Sequence, residues 1–84
     1  MLVTPREFYE REAKSIIKNR REEKDLSYRE LAERLTRFGV VVSERILINR
    51  LNRGRYSFTF ALQLLAALDV EVLRVPRPPA KPKK

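Results

Sequence analysis

Between residues 5 and 68 the apolar side chains recur at helical spacing, and each run opens on a hydroxyl residue. "TPRE" offers Thr4 as N-cap, Pro5 at the first helical position, where its missing N–H does no harm, and Glu7 three residues after the cap. A first helix is predicted over about residues 5–24, with Phe8, Ala13, Ile16 and Ile17 turned inward. "LSYREL" repeats the device: Ser27 caps, Glu30 closes the box and Leu26 staples onto Leu31. This second helix, about 28–38, carries Leu31, Ala32 and Leu35, and Gly39 stands where a left-handed residue ends a helix with Val40 folded back on Leu35. Ser43 caps a third helix, about 44–53, which Gly54 stops. Ser57 caps a fourth, about 58–68; "FTFALQLLAALD" is apolar nearly all round and reads as the central buried element.

The period changes after residue 68. "VEVLRV" alternates apolar and polar positions, which suits a short strand over 70–75. "PRPPAKPKK", residues 76–84, has the composition of a disordered, polyproline-like basic tail. The organisation expected is therefore all-α: one compact four-helix domain over residues 1–75, with an optional C-terminal β-strand and a tail. An 84-residue chain builds one modest core, without room for a deep catalytic cleft.

Composition removes several kinds of chemistry. With no Cys and no His, zinc fingers, disulfide frameworks and His-based catalysis are excluded, and the scattered carboxylates Glu7, Glu10, Glu12, Glu22 and Glu23 read as helix solvation. An enzyme, a cofactor and a small-molecule ligand are not expected. No apolar run approaches the roughly 18 residues of a membrane span, and "MLVTPREFYER" lacks the pattern of a signal peptide, so cytoplasm is the expected location.

The net charge of +8 is unevenly placed: residues 1–38 hold 10 basic and 8 acidic residues, residues 39–84 hold 9 and 3. Such asymmetry favours a polyanionic partner. It concentrates in "SERILINRLNRGRYS", where four arginines and two asparagines accompany a single carboxylate. On a helical wheel Leu47, Ile48 and Leu51 face the core, while Arg45, Asn49, Asn52 and Arg53 face away with Arg50 on one flank. Ile46 lies on the outer side too. Arginine pairs with guanine O6 and N7, asparagine with adenine N6 and N7, and an apolar group covers the thymine methyl. A solvated basic helix would also explain the arginines, but not the outward Ile46 or the scarcity of acid.

Taken together, "LSYRELAERL" and "ILINRLNRGRYSFTFALQLLAALDV" resemble the helix-turn-helix of the Cro/lambda-repressor (XRE) class over about residues 26–70. In that resemblance Ala32 takes the small position where the second motif helix crosses, and Ile48 and Leu51 match buried positions of the recognition helix. The departure is "TRFGVVV", which lengthens the short turn of the class by about six residues. In this the chain is similar to a small uncharacterised bacterial and phage family. The resemblance implies a lambda-repressor-like fold and a small transcriptional regulator that binds double-stranded DNA, placing it in the cytoplasm with the nucleoid. Arg45, Ile46, Asn49 and Arg53 would meet base edges. Arg50, Asn52, Arg55, Tyr56 and Ser57 would lie near phosphates, joined by Lys81, Lys83 and Lys84 of the tail. The class binds as a dimer with half-sites roughly 34 Å apart; residues 70–75 or the first helix are the surfaces expected to build one. An antitoxin-like or phage-encoded protein–protein adaptor on the same fold is the alternative. RNA binding is disfavoured because Tyr56, Phe58 and Phe60 read as core residues, which leaves no aromatic platform for stacking bases.

Overall fold

A computed structural model describes residues 4–78 of the chain. It contains four helices, α1 (Pro5–Glu23), α2 (Tyr28–Thr36), α3 (Glu44–Arg53) and α4 (Phe58–Ala67). All four begin on the predicted caps. Thr4 Oγ1 accepts from the Glu7 N–H at 3.1 Å, and the Glu7 carboxylate accepts from the Thr4 N–H at 3.3 Å. Ser27 and Glu30 make the same reciprocal pair at 3.1 and 2.9 Å. Ser43 and Ser57 accept from the Ile46 and Phe60 N–H groups at 3.2 and 3.0 Å. Each cap satisfies a donor the helix cannot, worth roughly 0.5–2 kcal/mol.

Three helices end in the same paired-bond turn, with different residues at the left-handed position. Gly39 (φ 89°) ends α2, the Val40 N–H donating to Leu35 O at 3.0 Å and the Gly39 N–H to Thr36 O at 3.2 Å. After α1 and α4 the left-handed residue is Asp25 (φ 53°) and Asp69 (φ 57°), closed by equivalent bonds from Leu26 to Arg21 and from Val70 to Leu65. The predicted ends at 24, 38 and 68 thus fall one or two residues inside these turns.

Leu31, Leu35, Leu47, Leu64 and Leu68 are fully buried, with Ile17, Leu26, Ala32, Val40, Leu51, Phe60 and Ala67 completing the core. The helix α2 packs on both α3 and α4, and α1 lies against α3. Arg34 ties α2 to the end of α4, donating to Ala67 O at 3.1 Å and to the Asp69 carboxylate at 3.3 Å. Arg21 bridges the first turn, donating to Leu26 O at 2.7 Å with its guanidinium 4.1 Å from the Tyr28 ring centroid.

Three expectations are corrected. The helix α4 is not wrapped on all sides: Phe60, Leu64 and Ala67 face the core, but Phe58 and Leu62 are 78% and 51% exposed. One layer of neighbours covers one face of a ten-residue helix and leaves the other to solvent. In α1, Ile17 is sealed, whereas Phe8, Ala13 and Ile16 are half-buried, because α1 rests on the domain from one side. Residues 70–75 form no strand; Val72 and Val75 are 82% and 71% exposed. Alternation alone does not make a strand, since extended backbone needs a neighbouring strand to pair its N–H and C=O groups, and the described residues provide none.

The long connection between α2 and α3 is held at both sides. Val40 enters the core, Val42 packs partly against it, and Gln63 of α4 donates its side-chain N–H to Phe38 O at 2.8 Å. Extra residues in this turn therefore do not leave α3 loosely attached.

Candidate nucleic-acid interface

The sequence of α3 divides the helix between two tasks. Leu47 and Leu51 are buried and Ile48 is half-buried, lining an open hollow with Arg45 and Asn49. Ile46, Asn49, Arg50 and Arg53 are exposed, and their spacing of three, one and three residues makes a continuous outer stripe. At about 100° per residue, Asn49 stands opposite the buried leucines, with Arg45 and Arg53 on either side of it and Asn52 exposed next to Arg45. Glu44 is the single carboxylate of the helix and lies in its first turn, where the positive end of the helix dipole accommodates it. Ile46 is 49% exposed. The outer face thus combines three arginines, two asparagines and an isoleucine, with no acid among them.

The C-terminal end of this stripe is fixed by contact with α1. Gly54 ends α3 in the left-handed conformation (φ 67°), and a Cβ placed there would lie 2.5 Å from Glu10 O and 3.1 Å from Lys14 Cγ. Only glycine meets both the backbone angle and the approach. The next residue, Arg55, donates from Nε to Glu10 Oε2 at 2.6 Å, and Arg6 donates to the same oxygen at 3.3 Å. The hydrogen bond from Arg55 and the charges of both guanidiniums hold the Glu10 carboxyl below its usual range, against the opposing effect of partial desolvation.

Several residues expected near phosphates have other partners. The Tyr56 hydroxyl donates to Leu51 O at 2.8 Å, and its ring meets Phe60 edge to face at 5.9 Å. Burial, and then the neighbouring Tyr28, push that hydroxyl up to about 12. Its proton is therefore engaged in latching the end of α3. Arg50 leans towards α4, its guanidinium 5.2 Å from the Phe60 ring centroid. It shares an open cleft with Ser57 and Thr59. There the N-terminus of α4 has no acidic residue in its first turn, whereas the other three helices carry Glu7, Glu30 and Glu44. Asn52 is exposed on the flank of α3, and Lys81, Lys83 and Lys84 lie outside the described residues.

Two features of the site do not follow from the sequence reading. Glu10 reaches it from 45 residues away, a separation no local pattern reveals. Phe58 does carry a signal: it is two residues from Phe60, and a helix places such neighbours on nearly opposite faces. Among the described residues no three carboxylates come together to hold a metal ion, and no helix is long and apolar enough to cross a membrane.

No curated protein and no solved structure matches the chain. A family model does: the family described as Domain of unknown function (DUF6471) matches residues 9–73, a span that takes in α2, α3, α4 and most of α1, and the chain belongs to that family.

Proposed function

We propose that this domain binds double-stranded DNA in a sequence-specific manner as a small transcriptional regulator, with α3 lying in the major groove. The observation that carries the reading is the outer stripe of α3: Arg45, Ile46, Asn49 and Arg53 are exposed together on a helix whose rotation is fixed by Leu47, Leu51 and Gly54. These side chains can read base edges, and a helix of about three turns fits the groove. In this reading α2 and α3 are the two halves of a helix-turn-helix of the Cro/lambda-repressor class, with the turn lengthened and anchored by Val40 and Gln63. Arg50, Ser57 and the acid-free N-terminus of α4 would position a phosphate, with the helix dipole adding to the arginine charge. The basic tail would add salt-dependent affinity without sequence preference.

Selection of binding sites from a random duplex library tests this directly. Enrichment of a defined site supports the reading, and Asn49→Ala should then weaken binding by about 1–3 kcal/mol and relax preference at one base pair. Replacing Arg50 should weaken binding to all sequences alike. Failure to retain any duplex at low salt would remove the proposal.

A second reading is favoured by a separate observation. Phe58 and Leu62, one helical turn apart on α4, are exposed in a helix without a single charged residue. Depletion of charge around exposed aromatic and aliphatic groups is the composition of a protein–protein contact surface. In this reading the domain is an adaptor, or α4 contributes to a dimer. Sedimentation of the wild type and of Phe58→Ser plus Leu62→Ser, with and without duplex, separates these possibilities.

A further inference from the structure

Arg55 has two suitors. It lies at the C-terminal end of the α3 stripe, beside Arg53, and its side chain is 64% exposed. Its Nε edge is nonetheless taken by the Glu10 carboxylate at 2.6 Å, and Glu10 itself is only 23% exposed. The pairing is not an accident of two long side chains meeting in solvent. Gly54, the residue before Arg55, touches the Glu10 carbonyl, so the backbones of the two partners are held side by side before either side chain moves. Arg6 adds a second donor to the same oxygen at 3.3 Å.

We infer that Glu10 is a built-in competitor for the phosphate that Arg55 would otherwise hold, and so determines how strongly this face takes up a polyanion. The inference rests on the DNA-binding reading for its ligand. Guanidinium recognises carboxylate and phosphate through the same planar edge, so a phosphate can use the Nε edge of Arg55 only by displacing Glu10. A phosphate on the remaining edge sits within a few ångströms of a like charge. In either case Glu10 subtracts from the affinity that four arginines on one segment would supply.

The test is a double-mutant cycle read by salt titration on duplex DNA. Glu10→Gln should raise affinity several-fold at 50 mM salt and steepen the plot of log K against log salt by about 0.9, so that the gain shrinks roughly 3.5-fold by 200 mM. In an Arg55→Gln background the same substitution should change affinity less than twofold. Glu10→Asp, which keeps the charge but shortens the reach to Arg55, should shift affinity in the same direction as Glu10→Gln. A gain that persists undiminished without Arg55, or a gain absent from Glu10→Asp, would show long-range charge alone and overturn the inference. Weaker binding by Glu10→Gln would show that Glu10 positions Arg55 rather than competes for it, and would overturn it too. If the wild type binds no duplex at low salt, the DNA-binding reading fails. The same four variants eluted from heparin with a salt gradient then still decide whether Glu10 competes for Arg55. Melting curves for each variant confirm that differences in binding are not differences in folding.

Discussion

The contact between Gly54 and α1 determines how α3 is presented, and its strength can be measured against an internal control. Both Gly39 and Gly54 are left-handed, at φ 89° and 67°, so Ala at either position meets the same kind of backbone penalty, roughly 1–2 kcal/mol. Their surroundings differ. A Cβ at 39 meets only the end of the Gln63 side chain, at an ordinary 3.5 Å. A Cβ at 54 lies 2.5 Å from Glu10 O and 3.1 Å from Glu10 C, both backbone atoms of a helix, so α1 or the end of α3 must move. Forced overpacking of this kind typically costs about 1–3 kcal/mol beyond the backbone term. Gly54→Ala should therefore destabilise by about 2–5 kcal/mol and Gly39→Ala by about 1–2 kcal/mol. At roughly 4–8 °C per kcal/mol for a domain of this size, the two melting temperatures should differ by at least about 4 °C. Urea unfolding followed by far-ultraviolet circular dichroism gives the same comparison as midpoints at constant slope. Equal losses at the two glycines would refute the close approach of α3 to α1, and with it the geometry that sets Glu10 beside Arg55.

Other substitutions test single interactions. Asp25→Gly should stabilise by about 0.5–1 kcal/mol, because a left-handed Asp is replaced by the residue that adopts this angle freely. Asp69→Gly should gain less, since Asp69 also pairs with Arg34 and Lys24; thermal melts of the two variants would show the difference. Ser43→Ala should cost about 1 kcal/mol through the lost N-cap of α3, and a neutral result in urea titration would discount that bond. For Tyr56, whose hydroxyl is raised to about 12, the stabilising neutral form is fully present below about pH 10 and is lost as pH rises towards 12, where ionisation favours the unfolded chain. Wild type should therefore lose stability relative to Tyr56→Phe between about pH 10 and 12, with the variant starting about 1 kcal/mol lower for want of the bond to Leu51.

The features legible in the sequence are those specified within one helical turn. Thr4, Ser27, Ser43 and Ser57 each cap the helix expected of them, because a hydroxyl three residues before an N–H is a local arrangement that the rest of the fold need not supply. Gly39 and Gly54 end helices for an equally local reason. Asp25 and Asp69 perform the same task without standing out, since aspartate is equally a signal for an N-cap or an ordinary turn. The division of α3 into inner and outer residues is also legible, because a period of 3.6 fixes relative directions once two core leucines are named. What the period does not supply is which neighbours are present. Apolar residues on every side of α4 suggest burial on every side, yet the chain provides partners for Phe60 and Leu64 and none among the described residues for Phe58. Alternation at 70–75 likewise describes a segment able to pair, and pairing depends on another strand.

The same distinction explains why the basic segment reads differently once folded. In sequence, residues 44–55 carry four arginines against one glutamate, and each arginine counts alike. In the fold they are inequivalent: Arg45 and Arg53 stand free in the sense that no acidic partner among the described residues lies within ion-pair distance, Arg50 rests over Phe60, and Arg55 is engaged by a carboxylate from α1. A charge count therefore overstates what this face can offer to an anion. The effective charge is set by tertiary contacts such as Glu10–Arg55, and for an exposed pair of this kind stability is a weak readout while competition with a ligand is a sensitive one. Binding measured as a function of salt thus resolves a contact that unfolding experiments would pass over.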